Sequence, residues 1–372
     1  MSGDATESAD EKWMRISSVV GEIFDGTYSV NGKARINVQT FDSDLSIVFS
    51  SSVKSYRELV FLIAIARIDD VSFKASESLY KCNPRAMFEK AMRPQFAVRK
   101  IPYGQSPALN IAKATEAIGP AWAAQRRQKE AAQAVLNLVE AIDSLSAPDL
   151  VVLAHEIARR FIELASYVES HKYEGSSVVE LPRLSDMIRK LIVRAPDGGN
   201  TAQRIAGLAL RTLHENSTHS IDGVEDSAST TNATSKKPGD IAISDDAGRL
   251  LMVFEITTKS FGEQRIDECS QSLSAYLKDS QDDIDSVTVL CMPENVPAEM
   301  RLGELGSSVA LGEANDGSFN YEFVDLLGWI DAMLASMPKG HRMRFFEALS
   351  EYVNHFQTSG SVKLEFLRLL AT

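Results

Sequence analysis

The apolar run Leu250-Leu251-Met252-Val253-Phe254 is broken by Glu255, and this break constrains the fold more than any other feature of the chain. A carboxylate beside such a run is costly to desolvate unless it is paired, hydrogen-bonded or bound to a cation. Side chains of a strand alternate between faces. Glu255, Thr257 and Lys259 are therefore expected on one face, and Phe254, Ile256 and Thr258 on the other. Upstream, a Pro238-Gly239 turn leads into Asp240 and a short strand, Ile241 to Ser244. A turn over Asp245 to Gly248 returns the chain beside the second strand. Two carboxylates and a lysine then converge. Taken singly, Asp240 is an ordinary turn residue, Glu255 a strand-end acid and Lys259 a surface charge. Their joint occurrence points to chemistry.

The surrounding pattern predicts an α/β (α+β) protein with a largely helical N-terminal region. A helix at Thr201 to Glu215, with Thr201 as its N-cap, precedes the two strands. A helix from Glu263 to Leu277 and a strand from Val287 to Met292 follow. From Tyr321 onward the apolar spacing reads as mostly helical. Residues 1–12 are polar and acidic and read as a disordered tail without a secretory signal. Between Ser17 and Val53, short β-like runs separated by Asp25-Gly26 and Asn31-Gly32 suggest a small antiparallel meander. Helices are expected over Ser55 to Ile68, Gln128 to Ser144, Pro148 to Glu169 and Pro182 to Val193. His155 lies beside the apolar stripe of the third of these and reads as a packed or solvated residue rather than a ligand. The break Ala195-Pro196-Asp197-Gly198-Gly199 is the expected domain boundary, giving a 13–196 region and a 197–372 core.

The chain of 372 residues carries a net charge of −12, which argues against a polyanionic partner. The average hides a reversal. From Arg85 to Lys129 nine basic residues face two acidic ones, a local net of +7. Phosphate contacts depend on such local potential. Within this segment Arg99, Lys100, Gln105, Asn110, Lys113, Gln125, Arg126 and Arg127 are the candidates for touching DNA, because these side chains match base edges and phosphates. Cys82, Cys269 and Cys291 are far apart and form no zinc spacing, so reduced thiols in a cytoplasmic protein are expected. No apolar run has the length of a membrane span.

Phosphodiester hydrolysis needs an activated water, neutralisation of charge growing at phosphorus, and help for the leaving oxygen. Hard carboxylate oxygens hold Mg²⁺ while leaving positions for water and phosphate. The ion acts as a Lewis acid, and a nearby lysine stabilises transition-state charge. Asp240 and Glu255 are thus candidate metal ligands, with Lys259 the candidate catalytic cation.

The segment Pro238-Gly239-Asp240 with Glu255-Ile256-Thr257 resembles the PD-(D/E)xK nuclease core, in which an acid follows a proline turn and an E-x-K element lies on the next strand. It departs from that pattern at Gly239, which separates the proline from the acid, and at Thr257, which stands in the lysine's place. Asn83 to Arg127, together with the helix opening at Gly199-Asn200-Thr201, is similar to type II restriction endonucleases, most like the SacI-type group. The resemblance implies a restriction-endonuclease-like mixed sheet flanked by helices. It also implies a Mg²⁺-dependent, sequence-specific cut in double-stranded DNA by a homodimer, within a restriction-modification system that includes a DNA methyltransferase. It assigns Asp240 and Glu255 to the metal, with Glu215 as a third acid. Lys259 would activate water or stabilise charge, and Thr257 would orient water or phosphate. The alternative it allows is a catalytically weakened nuclease fold that serves as a DNA-binding or scaffold component of a defence system.

Overall fold

In the computed structural model, residues 8–104, 109–226, 228, 237–278, 280, 282, 284–302 and 309–371 are described. The chain forms two compact units, Met1–Ser170 and His171–Thr372.

Among its described residues the first unit contains helices joined by turns and loops, and no strand. Helix α1 (Ala9–Phe24) starts at a capping box, in which the Ser8 hydroxyl accepts from the Glu11 N–H and the Glu11 carboxylate accepts from the Ser8 N–H. Residues 8–12 are therefore ordered by this cap, contrary to the expected tail. The expected meander is also absent. Its last run, LSIVFS, lies in α2 (Asp42–Ser50), where Asp42 and Asp44 occupy the first turn and Leu45 and Val48 are buried. A short β-branched run fits either strand or helix, and packing against α4 (Lys129–Ser144) decides for helix here. Gly26 and Gly32 do occupy turns with positive φ.

Helix α3 (Ser55–Asp69) is enclosed by α2, α4 and α5 (Ala147–Ser170), and every residue from Ser55 to Ala66 is buried. It buries even Arg57 and Glu58. Glu58 accepts the Gly104 N–H, and burial pushes its carboxyl above the usual range. His155, on α5, sets its two ring nitrogens 2.9 Å from the carbonyl oxygens of Ile23 and Tyr28, a packed structural role.

The second unit begins with α6 (Leu181–Arg194) and α7 (Asn200–Leu213). Thr201 lies inside α7 and donates its hydroxyl to the Ala195 carbonyl, while Gly199 holds the N-cap position. The strands are β1 (Ser220–Asp222), β2 (Ile241–Ser244), β3 (Leu250–Thr257), β4 (Ser286–Cys291), β5 (Ala310–Asn315) and β6 (Asn320–Asp325). They form one mixed sheet in the order β1-β2-β3-β4-β6-β5. β3 and β4 run parallel, joined through α8 (Glu263–Leu277). Tyr321 and Phe323 lie on β6, not on a helix, and the helical stretch starts with α9 (Leu326–Ser336), α10 (Lys339–Asn354) and α11 (Gly360–Leu370). Strand alternation sorts the sheet's two faces. Ile241, Ile243, Phe254, Ile256 and Leu290 pack with α6, α7 and α9 to α11. Ala242, Val253, Val287, Val289 and Cys291 pack with Phe261 and with Ile266, Cys269 and Leu273 of α8.

This core explains why the units divide at Ser170/His171 rather than at the glycine break. Leu184, Met187, Ile188, Leu191 and Ile192 of α6 share a cluster with Phe254, Leu290 and Phe345. A fragment starting at residue 197 therefore exposes apolar surface on α7, α9 and α11. The 171–372 fragment is expected to unfold cooperatively in urea. The 197–372 fragment is expected to aggregate or to lose its near-ultraviolet circular dichroism. Equal cooperativity in the two fragments would place α6 outside the core.

Candidate active site

Asp240 and Glu255 meet on the α8 face of the sheet. The antiparallel β2/β3 register pairs Ile241 with Phe254, and its extension by one residue sets Asp240 opposite Glu255. The two carboxyls are near enough for Glu255 to act on the proton affinity of Asp240. The ladder ends where the Pro238-Gly239 turn enters, and Asp240 Oδ2 accepts the Ile256 N–H at 2.9 Å. Asp240 is partly buried as a residue, but its carboxyl is poorly hydrated, and this desolvation pushes its pKa up to about 6 against the pull of the Ile256 N–H and Arg265. Glu255 is 2% exposed.

The nearest charge comes from α8. Arg265 Nη2 lies 3.5 Å from Glu255 Oε2, and its guanidinium lies over the Phe261 ring. One turn further, the buried Cys269 thiol donates to Glu255 Oε1 at 3.8 Å. Burial, then the two carboxylates, push that thiol upward and keep it protonated. Neither residue was singled out from sequence. The signal was the i, i+4 spacing of Arg265 and Cys269 on the helix after the acid-bearing strand.

The backbone around Asp240 is fitted closely. Gln203, buried on α7, donates its amide to the Gly223 carbonyl at 3.2 Å and to the Asp240 carbonyl at 3.4 Å. Gly223 has φ +88°, and a Cβ there would sit 2.0 Å from the Asp240 oxygen. A Cβ on Gly239 would sit 2.5 Å from Val253 Cγ1. The residue that separates Pro238 from Asp240 is thus the one that lets the turn lie against β3.

Other expected site residues fall elsewhere. β3 ends at Thr257, so Lys259 lies in an exposed bend where strand alternation no longer sets its face. The Thr257 hydroxyl is engaged by that bend, accepting the Lys259 N–H at 3.0 Å and donating to the Lys259 carbonyl at 3.1 Å. Lys237 pairs with Asp226. Glu215 is paired with Arg344 and His341 rather than with the two carboxylates, and Arg344 holds it below the usual range.

In the first unit, Arg99 is spent on internal structure. It pairs with Asp25 at 2.6 Å and lies over the Phe24 ring. Arg126 likewise lies over Trp122 and donates to the Ile111 carbonyl. Lys100 sits 3.7 Å from Glu169, and Gln125 accepts from Arg126. Asn110, Lys113 and Arg127 are exposed. Gln105 lies outside the described residues.

No family model matches the chain, and no curated protein matches it. The donor set therefore speaks for itself. Among the described residues no group of three or more histidine, cysteine, aspartate or glutamate side chains is arranged to hold a metal. Mg²⁺ is commonly held by one or two carboxylates, with water and phosphate completing its shell. Two touching carboxylates, one with raised proton affinity, need either a proton or a cation between them. The pair fits a hard divalent ion.

Two outcomes follow. Asp240 has a folded-state pKa of about 6 against an ordinary 3.8. Its contribution to stability is fully present below its ordinary pKa and is lost as pH rises through about 6. Without divalent ions, Asp240→Asn is expected to be more stable than wild type at pH 8 by on the order of 3 kcal/mol. The gap should close below about pH 4; urea melts that keep the same gap at both pH values would contradict the assignment. Gly223→Ala should cost roughly 2–4 kcal/mol through its close contact and its positive φ. A melting temperature equal to wild type would show that the contact with Asp240 relaxes freely.

Proposed function

We propose that the chain is a Mg²⁺-dependent DNA endonuclease whose catalytic centre is Asp240 and Glu255. The observation that carries this reading is the apposition of two desolvated carboxylates across β2 and β3, with Arg265 beside them. The reading extends the coarser α/β architecture to a restriction-endonuclease-like core. A hard divalent cation, when bound, supplies Lewis acidity at the scissile phosphate. Asp240 and Glu255 bind it and, once ionised, accept a proton from an attacking water. Arg265 neutralises charge on the phosphate oxygens. A guanidinium stays protonated at any working pH, so Arg265 stabilises charge and does not act as a base.

Site-specific cutting of a duplex calls for two active sites, hence a homodimer, and for a methyltransferase that protects host DNA. Exposed Lys113, Arg127, Gln125 and Asn110 of the first unit are the proposed DNA contacts. A second reading is a DNA-binding or scaffold component that retains the fold and does not cut. It is favoured by Thr257, which stands in the lysine's place with its hydroxyl already engaged.

Plasmid incubated with the protein and Mg²⁺ is expected to give discrete fragments, and none when Mg²⁺ is chelated. Asp240→Asn and Glu255→Gln should abolish cutting while the proteins remain folded. Arg265→Ala should slow it roughly a hundredfold, the scale set by loss of one preorganised charge-stabilising group. Lys259→Ala should change it by no more than a few-fold. The opposite ranking of Arg265 and Lys259 would return the catalytic cation to Lys259. Retention of plasmid without any cut would favour the second reading.

A further inference from the structure

Away from the carboxylates, His214 and His219 face each other where α7 gives way to β1. Their Nδ1 atoms are 3.1 Å apart and their ring centroids 5.1 Å apart. The difference between these distances is close to two ring radii, so the nitrogens point toward one another. The turn between them is built to hold this arrangement. The Ser217 hydroxyl donates to the His214 carbonyl at 2.8 Å and accepts the His219 N–H at 3.2 Å. Both rings are partly buried, with an open side to solvent.

We propose that His214 and His219 form a two-nitrogen chelate for a borderline transition-metal ion, Zn²⁺, Ni²⁺ or Cu²⁺. Imidazole nitrogens favour these ions, whereas Mg²⁺ prefers oxygen. With metal–nitrogen bonds of about 2.0–2.1 Å, a 3.1 Å bite subtends roughly 100° at the metal. That angle lies between square-planar and tetrahedral values, and a modest turn of each ring directs both lone pairs to one point. Ligation requires neutral rings. Burial and the neighbouring His219 lower the pKa of His214, which favours its neutral ring. A hydrogen bond between the two nitrogens requires one Nδ1 to carry the hydrogen. Its shift to Nε2 of the same ring frees both Nδ1 atoms as donors without net proton loss.

Water fills the remaining positions, so the ion is exchangeable rather than enclosed. Bound there, it ties the end of α7 to the start of β1. Those two elements carry Gln203 and lead into Gly223, which brace the Asp240 backbone. The inference does not depend on nuclease activity.

The test uses the full chain titrated with Zn²⁺ alone, followed by calorimetry and by the imidazole resonances of the six histidines. One ion is expected at the histidine pair, apart from any held by the carboxylates, with histidine shifts confined to His214 and His219 and a rise in melting temperature. His214→Ala and His219→Ala should each weaken the binding event that shifts the histidine resonances roughly tenfold or more, and Asp240→Asn should leave that event in place. Binding that persists unaltered in both histidine variants overturns the proposal. So does binding lost in Asp240→Asn, which belongs to the carboxylate pair, and binding lost in His341→Ala but kept in His219→Ala. Unshifted histidine resonances at saturating Zn²⁺ overturn it in wild type, whatever the variants do.

Discussion

Two carboxylates held against each other under a helix are the constraint to which the second unit answers. Asp240 and Glu255 repel when both are ionised, and neither is well hydrated. The fold reduces that cost with the Ile256 N–H, the Arg265 guanidinium and the Cys269 thiol, each aimed at a carboxyl oxygen. It keeps the pair in place from behind through Gln203 and the close approach of Gly223. A purely structural core has little reason to retain this arrangement, because an apolar pair of similar volume is generally at least as stable. The remaining strain is relieved by whatever neutralises the pair, a proton at low pH or, on the proposed reading, a bound cation at neutral pH.

The position of the compensating charge follows from where β3 stops. Strand alternation carries side chains to defined faces only while the strand lasts, and β3 ends at Thr257. Thr257 then closes a small turn with its hydroxyl bonded to both backbone groups of Lys259, a common way for threonine to terminate extended structure. The cation instead descends from α8, which covers this face of the sheet. A helical arginine reaches Glu255 with its guanidinium over the Phe261 ring, so the charge is oriented by an aromatic contact as well as by the ion pair.

What was legible in the sequence follows the same physics. β2, the Asp245–Gly248 turn, β3 and α8 were readable because turn chemistry and period-two or helical patterning agreed over continuous segments. Those local signals also suffice to align Asp240 with Glu255. Arg265 and Cys269 left only an i, i+4 spacing on α8 as a signal and Gln203 none, since their relation to the acids is made by packing of a helix on each side of the site. The N-terminal meander failed for a related reason. Runs such as LSIVFS are short enough that burial of Leu45 and Val48 against α4 outweighs their β propensity. The domain boundary was placed late because the Pro196-Asp197-Gly198-Gly199 break marks the end of a helix, whereas a boundary is set by which core the helix joins.

The basic segment of the first unit shows why local charge is a poor count of binding capacity. Arg99 and Arg126 are drawn onto aromatic rings and backbone carbonyls. Lys90, Arg85 and Lys100 have acidic neighbours within ion-pair distance. Arginine is favoured for such packing because its planar, weakly hydrated head stacks and donates in several directions. An arginine so committed contributes little counterion release to a nucleic acid, which depends on phosphates replacing solvent ions at an unpaired cation. On the proposed reading, the exposed residues that remain, Lys113 and Arg127 with the amides of Asn110 and Gln125, are better suited to positioning and reading a duplex than to gripping it. Tight association would then have to come from two copies acting together, which is the arrangement that double-strand cutting independently demands.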